Sequence, residues 1–522
     1  MHLQSLVTTS REIASTRSRS AKTRLLADAL RAAEPHEVET VVSYLSGELR
    51  QRRVGVGWRS LQQLPPPAEE PSLTVGEVHE AFERMSLLSG AGSQAARGDL
   101  LTELFARATA DEQRHLSLLV MGELRQGALD GVMLAAVAAA SGVPDPVVRR
   151  AVMLRGATGP VAAVALAEGA EGLDRFRLRV GQGLRPMLAS TAPDVAAAMT
   201  KAAPEGGPVA LEWKVDGIRV QAHRDGDEVS VLTRSLDDIT ARVPEIVEAV
   251  RALDAGSVVL DGEAVALDEA GRARPFQQTG SRTASSADVA QLRARVPLTT
   301  YFFDLLHVDG TDLLDLPAAD RQQRLETLLP DEQRIPRLVT DDPEAASGFF
   351  AAALRAGHEG VVVKRLTGPY ESGRRGAGWV KVKPRHTLDL VVLAAEWGHG
   401  RRRGWLSNLH LGARDEATGE PVMLGKTFKG LTDAMLTWQT EHLLALETDR
   451  DGHVVHVRPE LLVEVAFDGV QTSPRYPAGM ALRFARVLRH RTDKRADEAD
   501  TVATVRMLHQ GGHRGDTHPT SV

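Results

Sequence analysis

The sequence predicts a multidomain chain: an all-α first third, an α+β middle and a small β-barrel towards the C-terminus. Three observations carry that reading. Up to about Val180, apolar residues recur at three- and four-residue spacing and strand-like alternation is nearly absent. From Pro208 to about Arg385, short alternating runs dominate, mixed with helical pieces. After His386, several short strands and glycine turns surround one helical stretch. At 522 residues the chain exceeds one ordinary core, and about 100 to 200 residues per domain suggests three.

The first region is expected to span 1–185. "SAKTRLLADALRAA" and "RGDLLTELFARATADEQRHLSLLVMGEL" each place an apolar stripe on one helical face, and "QLPPPAEEPS" and "SGVPDP" interrupt the helices. "VGQGLRPMLAS" reads as a linker because Gly and Pro break the pattern there. The middle region, 186–385, contains "PVALEWKV", "IRVQAHR", "EVSVLT", "SVVLDGEAVAL", "PLTTYFFDLLHVDG" and "GVVVKRL" as strands, with "VPEIVEAVRAL" as a helix. In 386–510, "LDLVVLAAEWGHGRRRGWLSNLHLGARD", "PVMLGKTFKG" and "LLVEVAFDGV" supply strands around the helix "LTDAMLTWQTEHLLALE", which fits an OB-fold. Residues 511–522 read as a disordered tail.

Composition narrows the function classes. Charged residues make up 25% of the chain, no apolar run approaches the ~20 residues of a membrane span, and the first thirty residues lack an apolar signal core. A cytoplasmic protein is expected. With no cysteine, disulfides and cysteine-based zinc sites are excluded, so any metal must use oxygen or histidine ligands. A net charge of -6 argues against a uniformly polyanion-coating surface but leaves local basic patches open.

Two near-matches to phosphate loops fail on spacing or context. "GEPVMLGKT" is one residue too long between Gly419 and Gly425 for a Walker loop, and no helix opens at Lys426 to cradle a phosphate. "GVGWRS" lacks the third glycine of a dinucleotide loop and follows no strand.

"ALEWKVDGIRVQAHRDG" is more informative. Strand alternation puts Glu212 and Lys214 on one face and Leu211 and Trp213 on the other, and Asp216–Gly217 is expected to make a hairpin turn. The returning strand would put Ile218, Val220 and Ala222 on one face, with Arg219, Gln221 and His223 opposite. A solvated hairpin end and a reactive lysine both remain open at this point. In "GAGWVKVKPR", Lys381 and Lys383 share a face, as a pair facing water or an anion would. Placed around Lys214, they would favour its neutral amine. Glu263 in "VVLDGEAVALD" and Glu359 in "HEGVVVKRL" are expected at strand ends, where two carboxylates either face solvent or hold a divalent ion. "TTYFFDLL" concentrates aromatics in a chain with only 4% of them, as a core or as a platform for a base.

Taken in order, these segments resemble the covalent nucleotidyltransferase superfamily, most closely the ATP-dependent DNA ligases. "KVDGIR" is similar to that family's nucleophile motif KxDGxR. "TRSLDDIT", "DGE", "FFD", "EGVVVK", "WVKVK" and "ALRFARVLRHRTDKRADEADT" resemble its later motifs. "TRSLDDIT" departs from the pattern, with Ser for Asn and Asp for Glu. "GVGWRSL" and "GELRQGALDGVML" resemble segments of the helical DNA-binding domain of the larger members, so the resemblance covers most of the chain.

The resemblance implies that Lys214 attacks the ATP α-phosphate, carries AMP, and passes it to the 5′-phosphate of a nick in duplex DNA, which the 3′-hydroxyl then seals. It implies that Glu212 reads the adenine amino group and Phe303 stacks on the base. Arg219, Glu263 and Arg234 would serve the ribose. Lys381 and Lys383 would neutralise the α-phosphate, Arg375 would contact the nucleotide, and Glu263 with Glu359 would place Mg²⁺ or Mn²⁺. Arg483 and Arg486, with Asp493 and Lys494 nearby, would be brought over the triphosphate by the barrel, which would then move to grip DNA.

An adenylation (nucleotidyltransferase) domain would thus occupy 186–385. A monomer is expected, and no sliding-clamp or repair partner is legible. Two alternatives stay open: an RNA ligase or capping-type nucleotidyltransferase, and a catalytically silent nick-binding protein. An NAD-dependent ligase is disfavoured because that family carries a four-cysteine zinc module.

Overall fold

The computed structural model describes residues 1–51, 54–124, 130–269, 271–274, 276–284, 288–371, 376–384 and 386–509. Arg375, the tail 511–522 and part of "GELRQGALDGVML" lie outside the described residues. The chain divides into two compact units, Met1–Lys381 and Val382–Val522. Among the described residues, no helix is long and apolar enough to cross a membrane.

Among its described residues, the first unit opens with nine α-helices, from Leu3–Ser15 to Thr158–Leu173. Local chemistry sets two of their starts. Thr74 and Thr109 each accept from the backbone three residues on, while Glu77 and Glu112 reach back to the cap. The apolar stripe of "SAKTRLLADALRAA" becomes Arg19–Ala32, which buries Leu26, Ala27, Ala29 and Leu30 in a core shared with Leu3, Tyr44, Phe82 and Phe105.

The presumed linker contains no helix or strand before Ser190, yet it is fixed. Gly181 N–H donates to His223 Nδ1 at 3.1 Å, Leu184 N–H to Gln221 Oε1 at 2.7 Å, and Arg185 N–H to the Met153 carbonyl at 3.0 Å. Leu178, Leu184 and Met187 pack with Met153, Leu306 and Trp379. Its backbone N–H groups find side-chain acceptors and a distant backbone carbonyl in place of a ladder, so irregular sequence here is not loose chain.

Among the described residues, the strands that follow are β1 (Ser190–Thr191), β2 (Val209–Lys214), β3 (Ile218–Asp225), β4 (Glu228–Thr233), β5 (Ser257–Ala266), β6 (Leu298–Val308), β7 (Thr311–Asp312), β8 (Arg337–Thr340), β9 (Gly360–Lys364) and β10 (Trp379–Val382). They form two sheets, β1-β10-β9-β2-β8 and β4-β3-β5-β6-β7.

That order corrects the expected hairpin. β2 pairs with β8 and β9, whereas β3 pairs with β4 and β5, so Val215–Gly217 carries the chain from one sheet to the other. Gly217 is needed for proximity. A Cβ there would lie 2.3 Å from the Ala264 carbonyl oxygen of β5. A turn signal reports that the chain changes direction, not which strand receives it. The alternation within β3 is as expected: Val220 and Ala222 enter the sheet core, while Arg219, Gln221 and His223 face Val180–Ser190.

In the second unit the strands are β11 (His386–Trp397), β12 (Leu406–Arg414), β13 (Pro421–Thr427), β14 (Glu447–Asp451), β15 (Val454–Val457), β16 (Leu462–Phe467), β17 (Gly469–Thr472), β18 (Met480–Arg483) and β19 (Arg486–His490). Seven join in one antiparallel sheet around the long β11, and β17–β18 form a separate ladder. The expected helix spans Asp433–Ala445, and a second, Val502–His509, buries Val502 and Val505. Lys426 of the failed Walker match lies within β13 and pairs with Glu396, as a strand lysine rather than a phosphate ligand.

Candidate active site

β2 ends at Lys214, which lies opposite Gly360, the first residue of β9. The preceding Glu359 N–H donates to the Lys214 carbonyl at 2.9 Å, and the two side chains meet in an ion pair. Both are mostly covered, with 25% and 17% of their side chains exposed. Burial pulls the Lys214 ammonium down in pKa, but the charges of Glu359, Glu263 and Asp216 outweigh it and the net shift is upward. The amine is therefore held protonated. Glu359, Glu263 and Asp216 thus act against the neutral amine that neighbouring lysines would favour.

Glu263 lies within β5 rather than at its end, paired in register with Arg219 of β3 and Tyr301 of β6. Burial raises its carboxyl to about 7, with Lys214 and Arg219 opposing the shift. Glu359 sits immediately before β9, at the expected edge position.

Arg219 is clamped. Its Nε and Nη2 donate to Asp261 at 3.0 and 2.6 Å, and Nη1 donates to the Met187 carbonyl at 2.7 Å. Its guanidinium carbon lies 5.5 Å from the ring centres of both Phe303 and Trp379. Arg234 is exposed beyond β4 and lines a cleft with Arg219 and Asp261.

Glu212 is 3% exposed. Lys364 Nζ contacts its Oε2 at 2.5 Å, while Oε1 has no hydrogen-bond partner in the protein. Lys364 also donates to the Phe303 carbonyl at 3.1 Å, with its ammonium 4.7 Å from the Phe303 ring and 4.3 Å from that of Trp379. Phe303 and Trp379 meet edge-on at 5.7 Å. Lys381 sits on β10, in register with Thr191 of β1, and its neighbours Val380 and Val382 are buried as alternation requires.

Lys214, Glu359, Glu263, Arg219 and Phe303 thus come together with Glu212 in the first unit. Lys383, Arg483 and Arg486 belong to the second. There Lys383 lies 3.6 Å from Asp468, whose N–H donates to the Arg483 carbonyl at 3.0 Å, and Arg486 opens β19 at the surface. Lys494 donates to Asp389 at 2.7 Å, and Asp493 accepts from Arg491 at 2.9 and 2.7 Å. Those two are engaged in ion pairs of their own unit.

Sequence reasoning missed Asp261, Lys364, Tyr370 and Trp379. Each lay inside or beside a quoted motif, but the pairings that give them work are diagonal or between sheets. The two carboxylates flanking Lys214 suit a hard divalent cation such as Mg²⁺, which takes one or two carboxylates and completes its shell with water and substrate phosphates. Among the described residues, no cluster of three or more ligating side chains stands elsewhere as an all-protein cage.

Comparison with known proteins finds relatives along nearly the whole chain. Residues 186–383 match the family described as ATP dependent DNA ligase domain, 402–494 the ATP dependent DNA ligase C terminal region, and 59–138 the DNA ligase N terminus. A "Probable DNA ligase" of Nocardioides sp. is 61% identical over 508 residues, covering 96% of this chain and 98% of the relative. Another, from Beutenbergia cavernae, is 61% identical over 514 residues, covering 97% and 99%. A solved structure described as "Pmar-Lig_Pre." shares the fold at 17% identity, with a TM-score of 0.62 over 93% of this chain and 99% of that one. The chain belongs to the ATP-dependent DNA ligase family.

Proposed function

We propose that Lys214 is the nucleophile of a three-step sealing reaction. As an ATP-dependent DNA ligase, the chain joins a 5′-phosphate to a 3′-hydroxyl at a nick in duplex DNA. The observation that carries the residue assignment is the covered Lys214–Glu359 ion pair, with the Glu263 carboxylate also acting on Lys214.

The protonated amine must first give up a proton, and Glu359 is the carboxylate in contact with it. Lys214 Nζ then attacks the α-phosphorus as the bond to pyrophosphate breaks. AMP passes to the 5′-phosphate, and the 3′-hydroxyl displaces it. Phosphoryl transfer of this kind depends on positioning and charge neutralisation.

Phe303 would stack on adenine, and Glu212 Oε1, a buried acceptor that makes no hydrogen bond and lies 4.0 Å from Arg337 Nε, would accept from the adenine amino group. Arg219, Glu263 and Arg234 would hold the ribose, while Lys381, Lys383, Arg483 and Arg486 would meet the phosphates. Glu263 and Glu359 would hold Mg²⁺, which when bound neutralises phosphate charge. We further propose a helical DNA-binding domain over 1–185, an adenylation domain over 186–385 and an OB-fold over 386–510, in a monomer of the cytoplasm.

Sealing of end-labelled nicked substrates tests this reading. ATP with nicked DNA should give ligated product. Dependence on GTP, or sealing confined to RNA duplexes, would contradict it.

A further inference from the structure

Arg219 could hold a ribose only if its guanidinium is aimed, and the aiming depends on a residue outside the nucleotide pocket. Tyr370 is 1% exposed. Its hydroxyl donates to Asp261 Oδ2 at 2.6 Å, the same oxygen that accepts from Arg219 Nη2 at 2.6 Å. The same hydroxyl accepts from Met187 N–H at 3.0 Å and lies 3.4 Å from Arg219 Nη2. Met187 closes the loop, because its carbonyl accepts from Arg219 Nη1 at 2.7 Å. A single phenol thus ties together the carboxylate and the backbone segment that hold the two ends of the guanidinium.

The ring is fixed as well. Tyr370 N–H donates to the Leu314 carbonyl at 2.8 Å, and its ring packs edge-on against Trp379 at 5.9 Å, which in turn meets Phe303. Asp261 is 1% exposed, so water does not replace a donor withdrawn from it. Short bonds from a hydroxyl to a carboxylate are charge-assisted and directional, and a buried network of this kind holds its members in one arrangement.

We propose that Tyr370 is a positioning residue for the nucleotide sugar, acting through Asp261 and Arg219 to set discrimination between ribonucleotide and deoxyribonucleotide triphosphates. This rests on the reading of Arg219 as the ribose-holding residue. Without the hydroxyl, Asp261 keeps Arg219 by charge but loses its fixed rotamer. Met187 N–H loses its acceptor, and the guanidinium is no longer held against the sugar. Tyr370 does not touch the nucleotide, so the base and the phosphates are bound as before.

The test compares the full-length protein with Tyr370→Phe and Arg219→Lys, measuring lysyl-AMP formation with ATP, 2′-deoxy-ATP and 3′-deoxy-ATP. Tyr370→Phe keeps the ring against Trp379, and ratios of KM between nucleotides are independent of the folded fraction. The expected result is a rise in KM for ATP of about tenfold, as for loss of a hydrogen bond to a charged group, with kcat nearly unchanged. KM for the deoxy analogue lacking the held hydroxyl should change less than about twofold, because that interaction is already gone. If Tyr370→Phe weakens all three nucleotides equally, its role is structural and the proposal is overturned. If Arg219→Lys abolishes discrimination and Tyr370→Phe preserves it, the proposal fails while the ribose reading stands. If Arg219→Lys leaves discrimination intact, the ribose reading fails and the proposal with it.

Discussion

Lys214 and Glu359 are joined twice: their side chains form an ion pair, and the Glu359 N–H donates to the Lys214 carbonyl at 2.9 Å. The β2–β9 ladder therefore fixes the distance between the proposed nucleophile and the nearest proton acceptor. Replacing Glu359 by Gln removes the leading charge that raises the Lys214 pKa. The acid limb of the rate of lysyl-AMP formation should move to lower pH. The plateau rate should fall by at least about tenfold, as for loss of a general base. A pH–rate profile of the first step checks both changes.

Glu263 makes a prediction about stability. Its folded-state pKa, about 7, lies above the 4.5 of an ordinary glutamate, so the folded protein binds a proton that the unfolded chain has released between those values. Stability from this group is full below pH 4.5 and declines as pH rises through 7. Glu263→Gln should flatten that decline, seen as a smaller fall in Tm from pH 5 to 8. The same carboxyl must lose its proton to bind Mg²⁺, so the apparent Mg²⁺ affinity in the first step should rise with pH through about 7. Glu263→Gln should abolish that rise.

Gly217 has no room for a side chain, since a Cβ would lie 2.3 Å from the Ala264 carbonyl oxygen and 2.9 Å from Glu263 Cγ. Gly217→Ala should destabilise the first unit by about 2 kcal/mol, as overpacking does. It should also displace Glu263, lowering lysyl-AMP formation beyond what the lost stability explains. Thermal unfolding and single-turnover rates on the same preparation separate the two effects.

In the second unit, Asp389 accepts from Arg491 at 2.8 Å and from Lys494 at 2.7 Å while being 8% exposed. Removing it leaves Lys494 without that counter-charge and Arg491 with the more exposed Asp493 alone. Asp389→Ala should cost about 3 kcal/mol, the scale for breaking a buried pair. Urea unfolding monitored in the second unit checks this, with Lys494→Ala expected to cost less because the Arg491 pair remains.

The parts of the fold governed by local periodicity were legible. "VVLDGEAVALD" alternates and becomes β5, and "SAKTRLLADALRAA" carries a helical stripe and becomes Arg19–Ala32. The partner of each strand was not, because pairing is decided by contacts far apart in sequence. Asp216–Gly217 reads like a hairpin yet bridges two sheets. Lys214, Arg219, Glu263, Phe303 and Glu359 were found through their motifs. The diagonal partners Asp261 and Tyr370 were not, since 109 residues separate the ends of their hydrogen bond. The carboxylates that raise the Lys214 pKa were only partly legible, because Asp216 is a sequence neighbour whereas Glu263 comes from β5 and Glu359 from the start of β9.

The central claim is that Lys214 carries AMP, and the most direct measurement is peptide mapping after incubation with α-labelled ATP and Mg²⁺. A label stable to alkali and lost in hot acid, as a phosphorus–nitrogen bond requires, confined to the peptide containing Lys214 and absent from Lys214→Ala, is the predicted result. Label on another residue, or labelling that survives Lys214→Ala, would contradict the account.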